Sequence, residues 1–372
     1  MYEDSSKTLL RVFIVPECQK GFVGGIQQYV FGHAISTHKE DYIDLLLCLT
    51  PAKDLNKCLD RVYNHNDIYC IPLYTPSHFH ALINVLKIMI RISKYKKKVV
   101  IHSPTHIYSL VLALLRFKQV LYLLQEPKFY LLSLIIHSIL SGFDNVWYLA
   151  SDVSISTMYK YAIRKNINIF FPDFNKVFTS FCDELPEELK ATDTKLRNAS
   201  LTITYVGYLE YPRFSIPHFI VFLKLLKSLA ERRGKNPLVI LVIRPTKYSN
   251  KLMKYFTNKL KSLQLIDHVI AINRFLTVEE KLAVLKRSSM GLYFLLDTPT
   301  ITQNPTIPPI TIAEYIALGK PVVFFINGSD KLRMLGNLYT ETKSRKYIHI
   351  IDISNDNYIS EIRKVIEYIL AS

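Results

Sequence analysis

The sequence predicts an α/β fold of two doubly wound, Rossmann-like domains facing a cleft, on three observations. Short apolar runs of strand length alternate with longer amphipathic segments, the pattern of parallel strands joined by crossover helices. That alternation restarts at Leu201–Gly207 (Leu-Thr-Ile-Thr-Tyr-Val-Gly) as cleanly as it begins at residues 8–15. Finally, 372 residues with 49% apolar content are enough for two domains of ordinary size. The expected division is a first domain over residues 1–195 and a second over 196–372, with the polar stretch 191–200 as the way in.

Residues 8–15 read as the opening strand, 16–23 as a loop, and Gly24-Gly25-Ile-Gln-Gln-Tyr-Val as the start of a helix. A glycine pair between a strand and a helix lets backbone N–H groups approach a phosphate. Further strands are expected at 44–49, 68–73, 97–102, 120–124, 145–150 and 167–171, with helices at 79–95 and 153–165. His102 falls at the carboxyl end of its strand, where open α/β sheets bind ligands. A histidine held by a backbone carbonyl is the equally weighted structural reading. Gln125 ends the next strand; it can hydrogen-bond a hydroxyl but does not titrate near neutral pH.

In the second half, helices are expected at 217–233, 251–264 and 357–370, with strands at 237–243, 268–272, 291–296 and 322–326. Arg213, Arg244 and Lys247 follow strand ends, where cations can meet phosphate. The stretch from Pro305 to Phe325 is the most telling: three prolines hold 305–309 out of a helix. Thr311 can then cap a helix, Gly319 can close it in the left-handed conformation, and Pro321 stops it. Glu314 sits in the first turn of that helix. It can accept from sugar hydroxyls beside an anion-binding N-terminus, or simply complement the helix dipole in solvent.

The formal net charge is +16, with 23 Lys and Arg against 18 Asp and Glu in residues 1–200, and 24 against 13 in 201–372. Such a balance predicts an anionic partner: a diphosphate, acidic lipid or nucleic acid. Residues 85–128 hold nine cations and one acid, next to the strongly apolar stretch 129–140. The basic helix fits a surface resting on acidic lipid, whereas 129–140 reads rather as a core helix. The five cysteines are odd in number and include no Cys-x-x-Cys pair, which argues against a disulfide framework or structural zinc and suits a reducing interior. Residues 9–15 are too short for a signal peptide, and no run of about 18 apolar residues offers a spanning helix. A cytoplasmic protein, peripheral on the inner membrane face, is the expectation.

The run Ile312-Ala-Glu314-Tyr-Ile-Ala-Leu-Gly319-Lys-Pro321-Val-Val resembles the "LEAMALGKPVV" segment of GT-B glycosyltransferases, in the large retaining group that includes glycogen synthase. Gly24-Gly25, the strand ending in His102, the Leu201–Gly207 strand and Asn273-Arg-Phe-Leu-Thr277-Val-Glu-Glu are each similar to that group's segments in the same order. The resemblance implies a metal-independent, retaining transferase that moves a sugar from a UDP- or GDP-linked donor to a glycan, lipid-linked or protein acceptor, with no cofactor. It implies Glu314 on the donor ribose, Gly24 and Gly25 beside the phosphates, and His102 and Gln125 near the reacting sugar. Arg213, Arg244 and Lys247 would hold the diphosphate, with Thr277, Thr306, Ile310 and Thr311 also on the donor side. Three positions depart from the group's pattern: Thr306 where it has a second Glu, Tyr208 where it has an Arg, and Gln125 where it has a His. Those departures leave one alternative, a non-catalytic GT-B-like binding protein, and the +16 charge allows another, a sugar transferase acting on nucleic acid.

Overall fold

The computed structural model describes residues 9–15, 25–50, 67–75, 77–103, 106–124, 131–150, 163–169, 172–173, 176–177, 184–211, 213–296, 310–328 and 348–371. Gly24, Gln125, Thr306, the prolines at 305–309 and the expected helix over 153–162 lie outside these residues. The chain divides into two compact units, Met1–Phe181 and Cys182–Ser372.

In the first unit the strands are β1 (Leu9–Val15), β2 (Tyr42–Thr50), β3 (Ile68–Tyr74), β4 (Val99–Ser103), β5 (Gln119–Leu124), β6 (Val146–Ala150) and β7 (Ile167–Ile169). They form one sheet in the order β3-β2-β1-β4-β5-β6-β7, and every pairing is parallel. Helix α1 (Gly25–Ser36) joins β1 to β2. Helix α2 (His78–Ile92), continued by a 3-10 segment Ser93–Lys98, leads to β4, and α3 (His106–Leu114) and α4 (Leu131–Leu140) follow β4 and β5. The expected helix over 79–95 thus tightens into a 3-10 turn at its basic end. Residues 163–165, expected to be helical, are not.

Parallel strands need both faces covered, and the core strands show it: residues 12–15 of β1 are wholly buried. A charged pair sits inside this sheet. Arg11 and Asp44 are register partners on β1 and β2, and Arg11 Nε and Nη2 donate to the two carboxylate oxygens at 2.6 and 2.5 Å. The remaining guanidinium protons donate to the Ala34 and Thr37 carbonyls and the Thr37 hydroxyl, the closing turn of α1. His38 Nδ1 lies 2.8 Å from the same Asp44 carboxylate. One guanidinium therefore ties β1, β2 and the C-terminus of α1 together.

The second unit repeats the scheme with β8 (Leu201–Gly207), β9 (Pro237–Ile243), β10 (Val269–Ile272), β11 (Met290–Leu295), β12 (Val322–Ile326) and β13 (Ile348–Asp352). The order is β10-β9-β8-β11-β12-β13, again all parallel. Helices α7 (Ile216–Arg232), α8 (Ser249–Ser262) and α11 (Tyr358–Ala371) fill one core, with Phe219, Leu260 and Ile362 buried in it. Helices α9 (Val278–Arg287) and α10 (Ile310–Ala317) fill the other, through Val284, Leu285, Ile312 and Tyr315.

The stretch expected to link the domains is structured. Two short helices, α5 (Glu187–Lys190) and α6 (Asp193–Asn198), precede β8, and Leu189 is buried in the core of the second unit. Arg274 clamps them there, bidentate to Glu188 (2.8 and 3.0 Å) and to Glu280 (2.8 and 2.6 Å). These two partners raise the Arg274 guanidinium's pKa, and the hydrogen bonds from Arg274 lower that of Glu188. Residues 182–195 accordingly pack with the second unit. No helix among the described residues is long and apolar enough to cross a membrane.

Removing one partner from a buried ion pair leaves an uncompensated charge, which costs about 3–5 kcal/mol. Asp44→Ala is expected to lower the unfolding free energy by that amount in urea titrations. Glu40→Ala, an exposed neighbour, should change it by less than about 0.5 kcal/mol.

Candidate functional site

The second unit gathers its ionisable side chains where β8, β9 and β11 end, at the point where the strand order reverses and open α/β sheets take their ligands. The loop after β8 is shaped by Tyr205. Its hydroxyl lies 2.7 Å from the carbonyls of both Tyr208 and Arg213, so its single proton serves one at a time and draws the two ends of the loop together. Gly207 makes this possible, because a Cβ there would collide with the Tyr205 ring and hydroxyl.

The loop presents Tyr208 beside two guanidiniums. Arg213 lies 4.9 Å from the ring centroid and Arg244 5.7 Å from it, each within cation–π reach. Arg244 is set by its own backbone, whose N–H donates to the Gly207 carbonyl at 2.8 Å and extends the β8–β9 ladder. Thr246 donates to Glu210 and ties the loop after β9 to the loop after β8. Both guanidiniums act on Tyr293 of β11. Burial pushes its phenol up to about 12, while Arg213 and Arg244 pull the other way. Two like charges held beside one ring form a fork suited to an oxyanion, since guanidinium donors match phosphate oxygens bidentately. Lys247, expected with them, is exposed and lies 5.6 Å from the Tyr248 ring centroid instead.

Glu314 is on α10, whose position is set by Tyr315. The Tyr315 hydroxyl donates to the Thr204 carbonyl at 2.9 Å, and its ring rests on Gly291, where a Cβ would meet the ring at 2.5 Å. Gly319 (φ +66°) ends the helix as expected: its N–H donates to the Ile316 carbonyl and that of Lys320 to the Tyr315 carbonyl, the Schellman pattern. The first turn differs from the expectation. Ile310 is already helical, so Thr311 lies inside the helix and is not its cap. The Ile310 side chain is outside the described residues.

Glu314 itself is only 4% exposed. Its carboxylate is ion-paired with the ammonium of Lys281 on α9, which is equally buried. Burial lowers the pKa of Lys281, Glu314 opposes that shift, and Arg244 adds to it. Arg213, Arg244, Lys281 and Glu314 thus make one connected electrostatic cluster, and Lys281 is the member that sequence reasoning missed. It lies in a helix whose apolar spacing gave no sign that one lysine turned inward. Thr277, expected on the donor side, stands directly before α9. Its hydroxyl caps α9 by accepting from the Glu280 N–H, while its own N–H donates to the Glu280 carboxylate, a complete capping box.

In the first unit, Gly25 is the first residue of α1, directly after the segment that carries Gly24. His102, near the end of β4, is 3% exposed. It stacks on Phe13 (centroids 4.1 Å, 8° between planes) and meets the His33 ring edge-on at 4.6 Å. Neither ring nitrogen of His102 has a hydrogen-bond partner, so the backbone-carbonyl arrangement weighed from the sequence does not form. Burial holds both imidazoles neutral. The pKa of His33 falls to about 3, with Arg11 adding to the shift, and that of His102 falls well below its ordinary value. Among the described residues, no group of three His, Cys, Asp or Glu is placed to hold a metal ion.

No known protein family's sequence profile matches the chain. No curated protein matches it by sequence either. Solved structures do match in shape. A glycosyltransferase from Rickettsia africae ESF-5 is 14% identical, with 98% of this chain and 88% of that one covered at a TM-score of 0.60. HepE from Anabaena, solved with UDP and glucose, is also 14% identical, covering 97% and 95% at 0.55. UDP-GlcNAc 2-epimerase from Methanocaldococcus jannaschii is 13% identical, covering 98% and 93% at 0.60. The fold is GT-B. At these identities the likeness establishes the fold and leaves the chemistry to the site.

Two outcomes are expected from this geometry. Gly291→Ala forces the Tyr315 ring off its seat and should destabilise the second unit by about 1–3 kcal/mol, measured by urea unfolding. For the histidines, the folded pKa is depressed, so the unfolded chain binds more protons once the pH falls below about 6.5. Their contribution is complete above that value and is lost as the pH drops towards the folded values. Going from pH 7 to pH 5.5 should cost about 2 kcal/mol for the pair. His33→Met should remove about half of that loss in paired unfolding titrations at the two pH values.

Proposed function

We propose that the protein is a metal-independent glycosyltransferase that takes a nucleotide sugar as donor and retains the anomeric configuration. The observation that carries this reading is the pair of guanidiniums, Arg213 and Arg244, held beside Tyr208 at the carboxyl ends of β8 and β9. A diphosphate placed there would meet two forks of donors and the positive end of α10. As the glycosidic C1–O bond breaks, charge grows on the departing phosphate, and preorganised donors stabilise that charge more than the ground state. The acceptor hydroxyl forms the new bond to C1 and gives its proton to the departing phosphate oxygen, so no strong protein base is needed. That assignment accommodates Gln125 and Thr306 in place of titrating residues.

In this reading, Glu314 accepts from the donor ribose, with Thr306, Ile310, Thr311 and Thr277 around the nucleotide. Gly24 and Gly25 lie beside the phosphates, and His102 and Gln125 lie near the sugar. Lys247 reaches the diphosphate only by swinging from Tyr248. UDP and UDP-sugar ligands in proteins of the same fold support a UDP-linked donor over a GDP-linked one. A glycan, lipid-linked or protein acceptor fits better than nucleic acid, because the cations of this site are few and converge on one ring.

One observation favours a second reading, a GT-B-like protein that binds a nucleotide without catalysis. Glu314 is buried and already neutralised by Lys281, so a ribose would have to displace part of that pairing.

Thermal-shift titration with UDP, GDP, ADP and their sugar conjugates tests both. A ligand that binds the folded state raises the midpoint by mass action. UDP is expected to stabilise the wild type. Arg213→Ala and Arg244→Ala should each weaken it by about tenfold or more, the value of one charge-assisted contact. Glu314→Ala should weaken the nucleotide but not inorganic pyrophosphate. Stabilisation by UDP without hydrolysis or transfer from any UDP-sugar would support the binding-only reading. An unshifted midpoint with every nucleotide would overturn both.

A further inference from the structure

We propose that the outer face of α2, α3 and α4 in the first unit docks on a membrane surface that carries acidic phospholipids. These helices share one side of the sheet. The connections β3→β4, β4→β5 and β5→β6 all advance in the same direction across the strand order, and right-handed crossovers put all three on the same face. Helix α3 also packs directly on α4.

Two properties of that face coincide. From Ile68 to Gln125 the chain carries eight Lys and Arg and no Asp or Glu. Lys87, Arg91 and Lys94 are exposed along the outer side of α2, and Arg116 and Lys118 are exposed in the turn between α3 and β5. Strands β4 and β5 are paired neighbours, so the turn holding Arg116 and Lys118 lies beside the Ser93–Lys98 turn, at the amino-terminal edge of the sheet.

Between these cations stand large apolar side chains that the fold leaves in solvent. Phe79 is 68% exposed and Ile90 62% on α2, and Leu114 is 61% exposed at the end of α3. Ile135 and Ile139, one turn apart, form the outer face of α4, a helix without a charged residue. Single exposed apolar residues are ordinary, but five on one face interleaved with uncompensated cations are not.

The apolar members decide between the anionic partners. Acidic headgroups above an acyl boundary satisfy both the cations and the isoleucines, since the cations are attracted to such a surface and the apolar side chains enter the interface. A nucleic acid would satisfy the cations alone and leave the aliphatic side chains in water. A second copy of this face would set like charges against each other. The donor site of the second unit is not involved, so this inference and the proposed transferase stand or fall separately.

The test is flotation of the full chain with phosphatidylcholine vesicles, with and without phosphatidylglycerol, alongside duplex DNA binding at matched salt. Wild type should float only with phosphatidylglycerol and detach as salt rises. The triple variant Lys87→Glu, Arg91→Glu, Lys94→Glu should lose at least about tenfold in partitioning. The triple variant Ile90→Ser, Ile135→Ser, Ile139→Ser should also lose partitioning while its DNA binding stays unchanged. An unchanged thermal unfolding midpoint and circular dichroism spectrum in both variants would show that they fold. Failure of wild type to float with phosphatidylglycerol would overturn the proposal. So would equal partitioning of either variant, or DNA binding that weakens with the charge reversals while vesicles remain unbound.

Discussion

Everything in this molecule follows from a parallel strand's need to be covered on both faces. A strand buried on both sides cannot turn back on itself, so each must leave the sheet at its carboxyl end and return through a crossover. With seven parallel strands described in the first unit and six in the second, this puts the strand-to-helix loops at one edge of each sheet. Where the order reverses, beside β8 and β11, the loops diverge and leave room. The side chains gathered there are polar because that edge is the one part of the sheet without a helix across it. Tyr205, Gly207 and Tyr315 then turn a general feature of the fold into a particular geometry, fixing one loop and one helix by backbone carbonyls rather than by side-chain packing alone.

The ion pair between Lys281 and Glu314 is best understood against its cost. Taking both charges out of water carries a penalty that their attraction only partly offsets, and apolar replacements of similar volume are often as stable or more so. Stability therefore does not account for the pair. Its location does: Arg244 lies close enough to depress Lys281, so without Glu314 three cations would repel one another in a low-dielectric pocket. The carboxylate lets the cationic cluster exist in the absence of an anion. An incoming diphosphate would then share that role.

Much of this was legible in the sequence because it is written in backbone-level signals. The strand-helix alternation, the restart at Leu201, the Gly319-Lys-Pro321 stop and the helix over Ile216–Arg232 all rest on periodicity and turn chemistry, which act locally. What stayed hidden depends on distant partners. The inward turn of Lys281 depends on Glu314 across a helix pair, and the docking of α5 depends on Arg274, 86 residues from Glu188. Strand β13 escaped notice since Ile348–Asp352 mixes His and Asp into a short run at the sheet's edge. For His102 the strand-end position was right, and its stacking on Phe13 and His33 could not be read from a single strand.

The charge of +16 has two separate physical meanings in the two units. In the second, a few cations are positioned by backbone hydrogen bonds and aromatic rings, partly desolvated, and balanced by a single carboxylate. Such charges act strongly at short range and discriminate by geometry. Along α2 and the turns before β4 and β5, the cations are exposed and uncompensated over a long acid-free run, and they are interleaved with apolar side chains. Charges of that kind are screened within about 8–10 Å and act by number rather than by placement. A small, dense anion suits the first arrangement and an extended, diffuse one suits the second, so the two proposed ligands would not compete for the same residues.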